Sequence, residues 1–561
     1  MKSILSLTST LFFCAQLQAQ VNFSNKEDVY RIVYSVTNNG KTRPDQNKTV
    51  VLANALQSLV STENDLANKS KYPFEYFTVD AKNNVQFLYA VLGANKSIST
   101  VDSTAIGKQK MEFLPDTKKI LGFTCKKAKT IVNSNTIELW YTNDVEVKGA
   151  PSILGADLGL VLEMIRNGNT TTTAIGIKKL KTVLPASMQS MQSQNMDLLS
   201  YKDEIWKSRF STIPVFSHQR INFADTATVA PGIMRFANGT IVLKKISIPA
   251  FSSSKNVFLD VKEQSAGDAY DRTGTVFLIA NDKPQSFLDG LQNGASTLPV
   301  YENGNGKKYQ GVVATSQYSP AFELMRFFTP FGVKQFNYLQ LKDKPWQNAV
   351  YYRQDITDFA PLLNGKDVYV GVFIGNYDRG GHLVDVNITL HDGFEQNQKN
   401  QKIISLFNTL NIMEMAGQDY ATMFDCEKGL LVNFDLKEPL KNGMLRYTTT
   451  GHGGWGGGDE FVPKENTILL NDKVVFKMTP WREDCGSYRL YNPASGNFNT
   501  GLSSSDLSRS NWCPGTVTNP YFISLGDLPA GQYTLQVKIP QGKPEGSSFS
   551  SWNVSGVLVG E

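Results

Sequence analysis

The feature that most restricts the fold is the recurrence along the chain of short runs in which Val, Ile, Thr, Tyr and Phe alternate with polar residues. VYRIVYSV, TIELWYT, TIVLKKISI, VFLDVKE, LVDVNITLHD, GLLVNFDL and YTLQVKI are examples. A period of two sends alternate side chains to opposite faces of a strand, so each run has one face to bury and one to leave in water. Gly and Pro, 44 and 23 of the 561 residues, punctuate the runs. The pattern predicts a mainly β protein of turn-rich antiparallel sheets, with two-sheet sandwiches in its middle part.

A chain of 561 residues is too long for one hydrophobic core and suits three units of roughly 180 residues. The first boundary is expected between residues 216 and 230. A second lies at the polar stretch GFEQNQKNQK, residues 393–402, whose composition reads as an interdomain link. The units are therefore set at 20–225, 226–396 and 397–561. A helix is expected around residues 158–166, and the Met- and Gln-rich piece 188–196 reads as a connector or surface helix.

Residues 1–19 combine Lys2, an apolar stretch over 4–15 and a small Ala19 at a cleavage point. They read as a secretory signal, so a secreted or periplasmic protein is expected. No later segment offers the ~18 uninterrupted apolar residues of a membrane span. Beyond the leader stand Cys125, Cys426, Cys485 and Cys513, an even number that allows three pairings. Cys485 and Cys513 share one turn-rich stretch and are the first choice; whether Cys125 pairs with Cys426 stays open.

The 56 Lys and Arg against 51 Asp and Glu leave a formal charge of +5 without a long basic stretch, which argues against a nucleic-acid partner. Only four histidines occur, with no HExxH and no clustered pair. A copper or His-rich zinc catalyst is disfavoured on that ground, and no metal or cofactor is expected.

Two carboxylates stand in unusual settings. Asp271, in GDAYDRTGTVFLI, comes just before a strand and beside Arg272. Glu460 closes GHGGWGGGDE, where six glycines in ten residues let backbone approach a ligand closely and place Trp455 at a loop tip, an arrangement that suits sugar stacking. Each has a plainer reading: a turn Asp paired with its neighbouring Arg, and a flexible loop. Residue types and spacing alone reach a secreted multidomain β protein with carbohydrate contacts.

GDAYDRTGTVFLI resembles the segment of the peptide-N-glycosidase F family that carries its principal catalytic aspartate followed by arginine. RFFTPFGV, DITDFAPLLNGKDVYV and LVDVNITLHDG resemble the rest of that family's first jelly roll. LRYTTTGHGGWGGGDEFVPKENTILLND and LSRSNWCPG resemble its second. The resemblance covers about residues 230–561 and implies two consecutive jelly rolls. It implies Asp271 and Glu460 as catalytic residues and Arg272, Arg509 and Trp512 as substrate contacts. The family's disulfide ending in WCPG falls on Cys485 and Cys513. His452 and Trp455, in the rearranged Gly-rich loop, join the expected substrate contacts. The additional N-terminal part is a feature of the larger, type II members. LGFTCKKAKT, ELWYTND and GADLGLVLEM also resemble secreted proteins of the GLPGLI type.

Two positions depart from the family. Its third acidic residue is expected in VYVGVFIGNYDRGG, where an ungapped comparison puts Phe373; Asp378 is the substitute from the adjoining loop. An aromatic hydroxyl becomes Phe331. The activity implied is hydrolysis of the amide between asparagine and the innermost GlcNAc of N-linked glycans, on glycoproteins and glycopeptides, by a monomer. An amidase of this kind needs an activated water, stabilisation of the carbonyl oxygen and protonation of the leaving amine. The alternatives are a non-catalytic glycan-binding jelly-roll protein and, more remotely, a copper monooxygenase, for which a His–Met ligand set is missing.

Overall fold

The computed structural model describes residues 29–42, 44–180, 193–224, 230–336, 340–393, 401–418, 422–453, 458–493, 503–543 and 550–561. The expected leader, most of the connector 188–196 and Trp455 lie outside them. The chain forms two compact units, divided after Arg209.

The N-terminal unit is built on one large sheet. Two antiparallel meanders, from Thr49–Ala53 to Lys96–Asp102 and from Glu112–Ile120 to Thr170–Leu180, are joined by the first strand, Val29–Asn38, which pairs with Thr49–Ala53 on one side and Thr170–Leu180 on the other. The stretch expected as a helix is the strand Leu160–Arg166. Leu and Met favour a helix there only weakly. The pairing of this strand with Asn135–Thr142 and Thr170–Leu180 overrides that preference. Leu160 and Leu162 enter one apolar cluster and Val161 another, so both faces are covered. The helix of this region lies later, at Leu198–Lys207, where the Asp197 carboxylate accepts from the amides of Leu199 and Ser200. Cys125 and Cys426 are free thiols.

The second unit begins at Phe210 and holds two sandwiches. The strand Ser211–Ile221, expected in the N-terminal part, pairs with His382–Asp392 in the first sandwich. Its sheet continues through Lys255–Ser265 to Val350–Asp355. The facing sheet runs Ile233–Phe236, Ile241–Ser247, Asp367–Ile374, Thr273–Ile279, Phe322–Phe328, Val517–Thr518. Val257, Leu259 and Val261 from one sheet meet Val276, Leu278, Val370 and Val372 from the other, as the alternating pattern requires.

The second sandwich pairs Lys402–Asn408, Ser550–Gly560, Leu440–Gly453 and Tyr521–Leu528 in one sheet and Leu430–Leu436, Gly531–Lys538, Asn466–Leu470 and Lys473–Met478 in the other. Both sandwiches are the jelly rolls of the sequence reading. Ser550–Gly560 is buried along its whole length. Val554 and Leu558 fill the second core, whereas Val557 and Val559 join the first. Phe322–Phe328 is likewise buried throughout. Strands covered on both faces lose the alternation of a half-wet sheet and read as continuous apolar runs.

Charged groups also bridge the two sandwiches. Arg326 forks onto Glu323 at 2.9 and 2.8 Å and reaches across to Thr450 Oγ1 at 3.0 Å and the Asn553 carbonyl at 2.7 Å. Arg446 returns the connection, donating to the carbonyls of Glu323 and Leu324. Cys485 and Cys513 form a disulfide, which ties the turn Cys485–Tyr488 to the segment that holds Trp512.

Candidate active site

Asp271 sits at the mouth of the first sandwich, two positions before the strand Thr273–Ile279. Its loop is held from both ends. The Arg272 amide donates to Thr329 Oγ1 at 2.8 Å, the Thr329 amide to the Arg272 carbonyl at 2.9 Å, and the Gly332 amide to the Ala269 carbonyl at 3.0 Å. Glu460 and Arg509 come from loops of the second sandwich. A backbone pair between Arg482 and Arg509, and the Ser510 amide donating to the Glu460 carbonyl, fix the two loops against each other.

These residues meet on one nitrogen. Arg509 Nη1 lies 3.1 Å from Asp271 Oδ2 and contacts Glu460 Oε1 directly. Arg509 is 1% exposed, against 14% and 17% for the two carboxylates. Its Nη2 donates to the Ser504 carbonyl at 2.6 Å. Among the described residues Asp271 Oδ2 is buried and receives no aligned hydrogen bond, so its contact with Arg509 is chiefly charge–charge.

Two carboxylates sharing one guanidinium carry an excess negative charge. Burial pushes Asp271 above the usual carboxylate range, and the charges of Arg509 and Arg272 restrain the rise. Burial pushes Glu460 to about 7, opposed by Arg509 and reinforced by the negative charge of Asp271. The two carboxylates are coupled through one guanidinium, so their titrations are linked, as acid and base work at one site requires.

The other expected contacts take different places. Trp512 is 4% exposed. Phe328 stacks on its ring at 4.3 Å, the Arg509 guanidinium lies 4.2 Å over it, and its Nε1 donates to the Gly451 carbonyl at 3.0 Å. Trp512, expected as a substrate contact, is thus a buried ring packed against Phe328 and Arg509. His452 is held at 2.7 Å by Thr450 Oγ1, which itself accepts from Arg326, and packs near Phe328 and Trp512. Burial, together with the charges of Arg326 and Arg509, pushes its imidazole down to about 3, so it is neutral and an acceptor. Trp455 lies outside the described residues, as do 454–457 and 494–502, which adjoin Glu460 and Arg509 in sequence.

A groove of about 180 Å³ opens beside Asp271, with walls that include Arg272, Phe373, Asn411, Glu414 and Asn553. Phe373 lines it without a charge. Asp378 caps its own loop, accepting from the amides of Gly380 and Gly381 at 2.7 and 2.9 Å. The additional acid in the groove is Glu414, whose Oε1 accepts from Tyr377 Oη at 3.0 Å. Nothing in NIMEMAGQDY marks Glu414 as functional, because its relation to Asp271 arises from packing alone. Arg272 forks onto Asp268, Nε to Oδ2 at 2.7 Å and Nη2 to Oδ1 at 3.1 Å, and lies against the exposed rings of Tyr270 and Tyr377. Asp268 was visible in GDAYDR but carried no separate signal. Among the described residues no cluster of His, Cys, Asp and Glu is arranged to hold a metal ion, and no helix is long and apolar enough to cross a membrane.

Three family models match consecutive parts of the chain: N-glycanase peptide, N-terminal domain, over residues 32–203; peptide-N-glycosidase F, N terminal, over 212–390; and peptide-N-glycosidase F, C terminal, over 419–559. The chain is similar to PNGF-II as solved in two crystal forms. In the C2 form it is 52% identical, covering 95% of this chain and 98% of that one, with a TM-score of 0.89. In the P21 form it is 53% identical, covering 95% and 99%, with a TM-score of 0.91. No curated protein matches the chain.

Proposed function

The chain belongs to the peptide-N-glycosidase F family in its type II form, and from that premise we propose that it hydrolyses the amide between asparagine and the innermost GlcNAc of N-linked glycans. The observation that carries this reading is the single guanidinium nitrogen of Arg509 that gathers Asp271 from one jelly roll and Glu460 from the other. Asp271, beside the groove, takes a proton from the attacking water. The new C–O bond gives a tetrahedral intermediate. Glu460, raised to about 7, gives its proton to the glycosylamine nitrogen as the C–N bond breaks. The peptide keeps an aspartate, and the glycosylamine decays to ammonia and free glycan.

Arg509 holds both carboxylates in register. Arg272 lines the groove with an Nη1 that takes no part in its fork with Asp268, so it offers positive charge to the developing oxyanion. Glu414 and Asn411 supply acceptors and donors for sugar hydroxyls. Glycoproteins and glycopeptides are the proposed substrates of a monomeric enzyme acting outside the cytoplasm. Incubation with a denatured glycopeptide tests this by mass: the expected product is the peptide with asparagine converted to aspartate plus the intact glycan. Binding of the glycan with asparagine unchanged would refute the hydrolytic reading in favour of a lectin-like one.

A further inference from the structure

We infer that His382 is a positioning residue for this reaction: as an imidazolium it clamps Glu263 on one side and Asp268 on the other, and through Asp268 it fixes the loop that carries Asp271. His382 begins the strand His382–Asp392, opposite Ser265 and Ile221. Its side chain and that of Glu263 are wholly buried. Nδ1 stands 2.8 Å from Glu263 Oε1 and Nε2 3.4 Å from Asp268 Oδ2. A neutral imidazole has one N–H and one lone pair, so it can satisfy only one of two carboxylates. With a carboxylate at each ring nitrogen, only the charged form suits the site.

Asp268 converts that clamp into loop geometry. Its Oδ1 accepts from the Tyr270 amide at 3.1 Å and from Arg272 Nη2, and its Oδ2 from Arg272 Nε and His382. Asp268 therefore grips the residue before Asp271 and the residue after it. Two carboxylates, one imidazolium and one guanidinium balance in charge. Buried ionic groups of this kind seldom add net stability over apolar packing, so stability alone gives little reason for them to stand behind Asp271.

The groups that face His382 are Glu263 from the neighbouring strand and Asp268 from the loop. Arg272 lies beyond Asp268. Tyr352, from the strand Val350–Asp355, lies near enough to Glu263 to feel its charge and is tied to the Phe328 carbonyl. Asp378, on the preceding loop, is spent on the Gly380 and Gly381 amides. Burial by itself would depress the imidazole, but the hydrogen bonds and charges of Asp268 and Glu263 outweigh it and hold it at about 9. Burial likewise opposes the Asp268 carboxylate, yet bonds from His382 and Arg272 keep it well below its ordinary range. A raised imidazole stabilises the fold fully below its unfolded value of about 6.5 and loses that contribution as pH rises through the folded value. The loop should loosen on the same alkaline side.

This inference rests on the amidase reading. Its test is kcat and KM for a glycopeptide across pH, with thermal unfolding alongside, for wild type, Glu263→Gln and His382→Gln. Wild-type kcat should fall as pH passes about 9. Glu263→Gln, which removes one of the two carboxylates, should move that fall about one pH unit lower. His382→Gln should abolish it and lower kcat at neutral pH by about tenfold with KM within about twofold. An alkaline fall unmoved in Glu263→Gln, or wild-type kcat in His382→Gln, overturns the inference. If His382→Gln does not fold, Glu263→Gln and an NMR titration of 15N-labelled histidines in the wild type decide it. One imidazole still protonated near pH 8 supports the proposal, and none overturns it. A wild type that releases no glycan defeats the amidase reading itself, whereas glycan release with an unmoved alkaline fall defeats only the role of His382.

Discussion

Replacing Arg509 by methionine removes the charge that gathers the two carboxylates while keeping an unbranched stem to fill the space beside Trp512. The size of the effect follows from the 3.1 Å separation between Arg509 Nη1 and Asp271 Oδ2. With an effective dielectric constant of about 20, the attraction is roughly 5 kcal/mol, equivalent to about 4 pH units. Arg272 still acts on Asp271 and solvent still reaches it, so the rise expected in practice is about 2 units, within the range found when a carboxylate loses one adjacent guanidinium. Glu460 rises with it. The sign is fixed: losing a cation favours the protonated acids, so the acid limb of kcat/KM moves to higher pH. The protonated fraction of Asp271 would rise, and kcat/KM near pH 7 should fall by about 100-fold, recovering as pH is raised. The assay is glycan release from a denatured glycopeptide, read by mass across pH, with thermal unfolding to confirm a folded variant. Arg509→Lys, which keeps the charge without the fork, should hold the acid limb near that of the wild type. If the methionine variant keeps the wild-type acid limb, or if both variants lose activity equally at every pH, Arg509 does not act through charge and the reasoning fails.

Asp271→Asn keeps the shape but removes the base, so glycan release should drop by about 100-fold or more; activity within tenfold of wild type excludes Asp271 from the chemistry. Arg326→Leu leaves Glu323 buried without its partner and should cost about 3–5 kcal/mol in urea unfolding. The double variant Glu323→Leu/Arg326→Leu should recover much of that loss, and a double variant no better than the single would disprove the pairing account. Glu414→Gln keeps size and removes charge in the groove. It should raise KM by about fivefold with kcat little changed, and an unaltered KM would remove Glu414 from substrate binding.

Much of the fold could be read residue by residue. Val257, Leu259 and Val261 announce a buried face by spacing alone, and the structure places all three in the first core. Leu160–Arg166 was misread because Leu, Glu and Met tolerate a helix, whereas what decides its state is the pair of neighbouring strands that take its backbone hydrogen bonds. The burial of Trp512 was hidden for a related reason. An aromatic residue near an arginine looks the same in sequence whether its ring faces solvent or, as here, packs against Phe328 and Arg509.

The amino-acid order by itself determined that the chain would build β-sandwiches, which acidic residues stand at loop mouths beside glycine and arginine, and which two cysteines were best placed to join. These properties are local: strand periodicity, turn chemistry and short motifs act over a few residues. The tertiary structure alone decided that Asp271 and Glu460 share one guanidinium nitrogen, that Glu414 lines the same groove as Phe373, and that His382 lies between Glu263 and Asp268. Each of those relations joins residues from separate strands and loops. Their electrostatics depend on distance and on the exclusion of water, and both arise only when those strands and loops pack against one another.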